Sequence, residues 1–205
     1  MVASTFETAA DAIVAVGRAF DARGWAPATS GNYSVRLDDG SFAVTVSGWH
    51  KGRLTPDGVM RVDAEGASLD GKRPSAETAL HLSLYRRFPD AGAVLHSHSP
   101  QAVALSRVLG GDWAIREHEL VKAFPGVTTH TAEIVLPVVE NSQDMREIEA
   151  AIAPYLARET PPAYLIRGHG LYGWGRDIAE AERVIEAAEW LAACEVAERS
   201  MRREA

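Results

Sequence analysis

Cysteine is nearly absent. The 205 residues contain one, Cys194. It has no internal disulfide partner, so a reducing compartment is expected. There is no uninterrupted apolar run of about 18 residues, the length that a membrane-crossing helix needs. Residues 1–7 lack a basic stretch followed by an apolar one, so no secretory leader is expected, and the reading is cytoplasmic. Lysine and arginine are outnumbered, 21 against 28 acidic residues, giving a formal net charge of −7, and they form no cluster. Nucleic acid and membrane surfaces are therefore not expected as partners. A small phosphorylated molecule stays compatible, because a pocket can be positive inside an acidic protein. Repeats and low-complexity tracts are also missing. What remains is ordinary globular composition, 46% hydrophobic and 24% charged. One domain over residues 1–205 is expected, and an enzyme is the favoured class.

Hydrophobic spacing divides the chain into alternating helices and strands. Ser4-Thr5-Phe6-Glu7 has the form of a capping box, and apolar residues recur at helical spacing from Ala10 to the stop at Gly24. A hairpin is predicted from residues 33–37 and 41–46 around Asp38-Asp39-Gly40, with a further strand at 59–62. Pro74-Ser75-Ala76-Glu77 reads as a helix start. Strands are predicted at 93–98 and 163–166, and another at 134–138 lies near an edge because of Pro137. Helices are predicted at 100–109, 145–156 and 178–202. A hairpin this early argues for a mixed or antiparallel sheet over a purely parallel one.

The strongest chemical signal is His96-Ser97-His98 at the end of an apolar strand. Side chains alternate along a strand, so the two imidazoles share a side and can reach one ion. Two solvent-facing histidines at a strand end are the ordinary alternative. His169, between Gly168 and Gly170 after another apolar strand, supplies a third ligand. Three histidines with an open fourth position suit a catalytic zinc site. Two carboxylates compete for acid/base work: Glu119, in Arg116-Glu117-His118-Glu119, and Glu77 at its helix start. Ser30-Gly31-Asn32, Ser47-Gly48 with Lys51, and Ser75-Ala76 each offer hydroxyls and free amides that can cradle an anion. Each alone is an ordinary turn. Trp113 and Phe124 flank Glu119 and read as core or as the wall of an apolar pocket.

These motifs, in this order, resemble the class II aldolase/adducin family over nearly the whole chain. They are Ser30-Gly31-Asn32-Tyr33-Ser34-Val35-Arg36, Ser47-Gly48, Pro74-Ser75-Ala76-Glu77, His96-Ser97-His98 and Gly168-His169-Gly170. Three further stretches resemble its dehydratase branch, lyases acting on a methylthio-substituted ketose 1-phosphate in methionine salvage: 118–122, 136–141 and 169–175. The resemblance implies a three-layer α/β/α fold with a mostly antiparallel central sheet. It implies one zinc per subunit on His96, His98 and His169. It implies a homotetramer of fourfold symmetry with active sites near subunit interfaces. The substrate's phosphate is expected on Ser30, Gly31, Asn32, Ser47, Gly48 and Ser75. Ala76 replaces a second serine usual in the sugar-phosphate aldolases, and Lys51 supplies charge instead. The family's aldolases use the glutamate at the position of Glu77 as base, and its dehydratases use the position of Glu119. Both are present here, and Glu119 is preferred. Aldol cleavage of the same ketose phosphate is the alternative chemistry. Adducin-like members lack the metal histidines that this chain keeps.

Overall fold

Amphipathic helices and alternating strands form where the spacing predicts them, with instructive exceptions. A computed structural model describes residues 4–157 and 162–203. Helix α1 (Phe6–Ala22) is capped by Thr5, whose side chain accepts from the Thr8 amide at 3.3 Å. The cap is thus Thr5 and not Ser4, whose amide donates to Asp38 Oδ2 at 2.9 Å and ties the chain start to the hairpin turn. The hairpin strands β1 (Asn32–Arg36) and β2 (Phe42–Thr45) are antiparallel, and β3 (Val59–Val62) adds to β2. Then follow α2 (Thr78–Arg87), β4 (Ala93–Ser97) and α3 (Pro100–Val108).

Pro137 has no amide hydrogen to give, and the strand expected at 134–138 divides there. Its first half, β6 (Ile134–Leu136), pairs with β5 (Trp113–Ile115) in a separate two-stranded ribbon. Its second half, β7 (Val138–Val139), becomes an edge strand of the main sheet. Helix α4 (Met145–Leu156), β8 (Ala163–Ile166), β9 (Gly170–Gly175) and α5 (Ile178–Arg203) complete the chain.

The main sheet has seven strands in the order β3-β2-β1-β4-β9-β8-β7. Every pairing is antiparallel except β7 with β8. Two apolar clusters cover its faces. One joins α1, α3 and α5 to Tyr33, Leu95 and Leu171; the other joins α2 and α4 to Val94, Tyr164 and Trp174. This is the expected three-layer α/β/α architecture. Among the described residues no helix is long and apolar enough to cross a membrane.

Strand β9 was not among the predicted strands, because glycine alternates with large residues along it. The reason is packing. A Cβ on Gly173 would come within 2.9 Å of Ile185, and one on Gly175 within 2.6 Å of the Ala181 amide. The glycines let α5 lie against the sheet, while Tyr172 and Trp174 fill the opposite layer. Trp113 and Phe124 are core residues, 2% and 1% exposed.

Candidate metal centre and its cavity

The three histidines meet at one end of the two central strands. Along β4, Leu95 faces α5 and Val94 faces the α2–α4 layer, so His96 shares the side of Val94. There its ring stacks on Tyr172 of β9, with centroids 4.0 Å apart. His98 follows on the same side, its ring centroid 4.3 Å from that of His96. The turn from β8 to β9 delivers His169. Gly168 takes φ +67 in that turn, and a Cβ on Gly170 would overlap the Ser97 carbonyl oxygen.

The donor geometry fits a metal ion. One ligand nitrogen from each of His96, His98 and His169 lies within 4.8 Å of the others. The Nε2 atoms of His96 and His169 are 3.4 Å apart. Two nitrogens bound at about 2.0–2.1 Å to one tetrahedral ion stand about 3.3–3.4 Å apart. His96 Nδ1 donates to the Leu171 carbonyl at 3.0 Å, so its Nε2 presents a lone pair. Burial, then the neighbouring His98, pushes His96 well below the usual histidine range. Burial, then His169, pushes His98 down to about 4. Neutral imidazoles are what a metal requires.

Glu77 stands beside this cluster, just before the first turn of α2. Its Oε1 lies 3.0 Å from His169 Nε2 and its Oε2 3.6 Å from His96 Nε2. Burial acts to raise its pKa. The hydrogen bond from His169, the charges of His96 and His169 and the hydrogen bond from Asn32 outweigh burial and hold the carboxyl well below the usual range. Tyr172 OH also donates to Oε2 at 3.3 Å.

A cavity of about 400 Å³ opens in front of the cluster. All the residues expected to bind phosphate line it: Ser30, Gly31, Asn32, Ser47, Gly48, Lys51 and Ser75, together with Glu77, His98 and His169. Lys51 is 2% exposed, and its ammonium donates to the carbonyls of Thr29 and Trp49 at 2.8 and 2.7 Å. Two of its three donors are thus used, leaving one for the cavity. Burial lowers its pKa to about 8, with the Glu77 carboxylate acting in the other direction. Sequence reasoning missed Arg73, an exposed second cation at the rim with no ion pair among the described residues. It also missed Asn141, whose Oδ1 is 3.2 Å from His169 Nδ1. The register of β1 against β2 and the bridge from Val46 to Pro74 bring the loops together, and the pairing of β7 with β8 brings Asn141 beside His169.

Glu119 is not brought to this cavity by its own chain. It begins a 3-10 helix, Glu119–Ala123, with its side chain 73% exposed and paired with Lys122. It lines a different, apolar cavity with Trp25, Leu120 and Trp190. The hydrogen bond from Lys122 lowers its pKa.

Residues 11–196 match the family described as the class II aldolase and adducin N-terminal domain. The chain belongs to the class II aldolase/adducin family. Within it, the chain is 52% identical over 187 residues to a methylthioribulose-1-phosphate dehydratase of Methylococcus capsulatus, covering 91% of this chain and 92% of the relative. It is 50% identical to one of Pseudomonas paraeruginosa, covering 90% and 91%. Among solved structures, the L-fuculose-1-phosphate aldolase of Thermus thermophilus superposes with a TM-score of 0.76 at 31% identity, over 95% of this chain and 96% of that one. A class II aldolase domain thus supplies the scaffold on which the histidine cluster, Glu77 and the cavity sit.

Proposed function

We propose that this chain is a metal-dependent lyase that dehydrates 5-methylthioribulose 1-phosphate to the corresponding 2,3-diketone phosphate. The observation that carries the reading is the His96–His98–His169 cluster facing Glu77 at a cavity with two cations, in a chain half identical to dehydratases of that name. Zinc is the ion that three neutral imidazoles with an open position suit best. The site is served by one family domain over residues 1–205.

A metal held by His96, His98 and His169 would supply Lewis acidity to the substrate's carbonyl. The chain does the rest. Lys51, Arg73 and the amides and hydroxyls around Ser30, Ser47 and Ser75 hold the phosphate. With a metal held on its Nε2, His169 would have no proton to donate there, and Glu77 Oε1 would stay free to accept one. Glu77 takes the C3 proton. A second acid protonates the departing C4 hydroxyl, water leaves, and the enol becomes the diketone. Glu119 is that acid, entering from a neighbouring subunit of a homotetramer. Its exposure and the apolar cavity beside it support this assignment, since a group 73% exposed does little proton chemistry without a partner to exclude water. Cleavage of the C3–C4 bond is the alternative reaction of the same site, supported by the likeness to the Thermus aldolase.

The test is metal dependence of substrate consumption. The purified protein should hold one zinc per chain and consume the ketose phosphate. A chelator should stop turnover and added zinc should restore it. Metal-free protein with undiminished turnover would refute the reading.

A further inference from the structure

Behind Glu77 lies a chain of buried polar side chains that the reaction scheme does not use. It runs from Glu77 through Asn32, His81 and Ser34 to Tyr85. His81 is 2% exposed and sits one helical turn after Glu77 on α2. Ser34 is fully buried. Asn32 lies opposite His96 in the pairing of β1 with β4, so the chain touches both the carboxylate and the metal-binding strand.

The carboxylate decides the direction of every bond. An ionised carboxylate only accepts. The Asn32 atom facing Glu77 Oε2 is therefore its amide nitrogen. The amide oxygen is then turned to His81 Nε2, which must carry a proton. His81 Nδ1 is left bare and accepts from Ser34 Oγ at 2.7 Å. Ser34 in turn accepts from Tyr85 OH at 2.9 Å. His96, by contrast, donates from Nδ1 to Leu171, so the two buried histidines are opposite tautomers.

We infer that His81 is a positioning residue: its Nε2 proton holds the Asn32 amide in the one orientation that presents N–H, rather than oxygen, to Glu77. An amide does not readily pass a proton along, so the chain orients the carboxylate and does not conduct protons to it. Without the His81 donor, Asn32 can turn its oxygen toward Glu77, where two acceptors repel, and the carboxylate loses its fixed position. This inference rests on the reading of Glu77 as the group that works on the substrate.

The test compares two replacements. In His81→Gln the side-chain amide reaches the place of Nε2 and can still donate to Asn32. In His81→Asn the shorter amide reaches only the place of Nδ1. His81→Gln should keep turnover within about threefold of the parent. His81→Asn should lower kcat about ten- to a hundredfold, the scale of one lost buried hydrogen bond, with KM little changed. Both should retain zinc. Equal turnover in the two variants overturns the inference. The second measurement needs neither variant nor activity. Nitrogen-15 NMR of the histidine-labelled native protein at pH 7.5 should show His81 protonated on Nε2 and His96 on Nδ1. A His81 proton on Nδ1 overturns the inference even if the variants fail to fold. Failure of the native protein to consume the ketose phosphate would instead remove the dehydratase reading, and the NMR result would still decide the tautomer.

Discussion

Oε1 of Glu77 lies 3.0 Å from Nε2 of His169, so the proposed base and one proposed metal ligand meet through a single hydrogen bond. A proton on that nitrogen ties up the carboxylate, and a metal held there would leave it free, so the proposed roles predict that metal loading and base strength are coupled.

Replacing Glu77 by Gln should separate the two. The amide keeps the size of the side chain and removes its basicity. The variant should still bind one zinc per chain, since none of the three histidines is touched. Its kcat should fall about 10²- to 10⁴-fold, the usual contribution of a positioned acid or base. Metal analysis and steady-state kinetics on the same sample measure both quantities.

Glu119 gives a prediction about assembly. If it acts in a neighbour's site, Glu119→Gln and Glu77→Gln damage different chains of one shared site. Each variant alone should be nearly inactive. Unfolded together and refolded as a mixture, they should regain activity, to about a quarter of the native value for random mixing around a ring. A mixture no more active than its inactive parents would place both residues in one chain's site, and a fully active Glu119→Gln would place Glu119 outside the reaction.

Alternation along a strand fixes sidedness, which made the pair His96 and His98 legible, while His169 and the scaffold rested on the resemblance. His96 and His98 had to share a face, and they do. The loops around Ser30, Ser47 and Ser75 were each legible as an anion cradle, and the resemblance put them at one phosphate; how they meet depends on strand register, which no single loop shows. Strand β9 was hidden by Gly173 and Gly175, whose role is to admit α5 and which carry no apolar signal. Glu119 illustrates the opposite limit. A motif names a residue's chemistry, whereas one chain's structure puts that residue on its own surface. His81 carries no signal of its own in the sequence, since its partners Asn32 and Ser34 lie on a strand far away in sequence.

Glu189 gives a prediction about stability. It is 2% exposed on α5 and accepts from Ser97 Oγ, between His96 and His98, and from Ser99 Oγ, the N-cap of α3. Glu189→Ala leaves both buried hydroxyls without their acceptor and should cost about 2 kcal/mol or more. Glu189→Gln keeps one acceptor and adds a donor, which serine can accept, and should cost clearly less. Urea unfolding of the two variants compares them.

Acid should weaken the fold partly through His81. Burial depresses its folded pKa to about 4, with the Glu77 carboxylate acting the other way. Unfolded, it titrates near 6.5. The unfolded chain thus binds more protons between these values, and stability falls as pH drops. The contribution is complete above about 6.5 and is lost progressively toward about 4, at up to about 1.4 kcal/mol per pH unit. His96 and His98 act in the same direction. His81→Gln removes one of these groups, so metal-free His81→Gln should lose less stability than the metal-free parent between pH 7 and pH 5. Urea titrations at both pH values, at one protein concentration, give the difference.

The proposed reaction breaks a C4–O bond. Zinc-loaded protein should be given 5-methylthioribulose 1-phosphate and the products identified by mass spectrometry, with a chelated control. The expected result is a single phosphorylated product lighter than the substrate by one water, the 2,3-diketone, absent after chelation. Dihydroxyacetone phosphate together with methylthioacetaldehyde would contradict it, because those products require cleavage between C3 and C4.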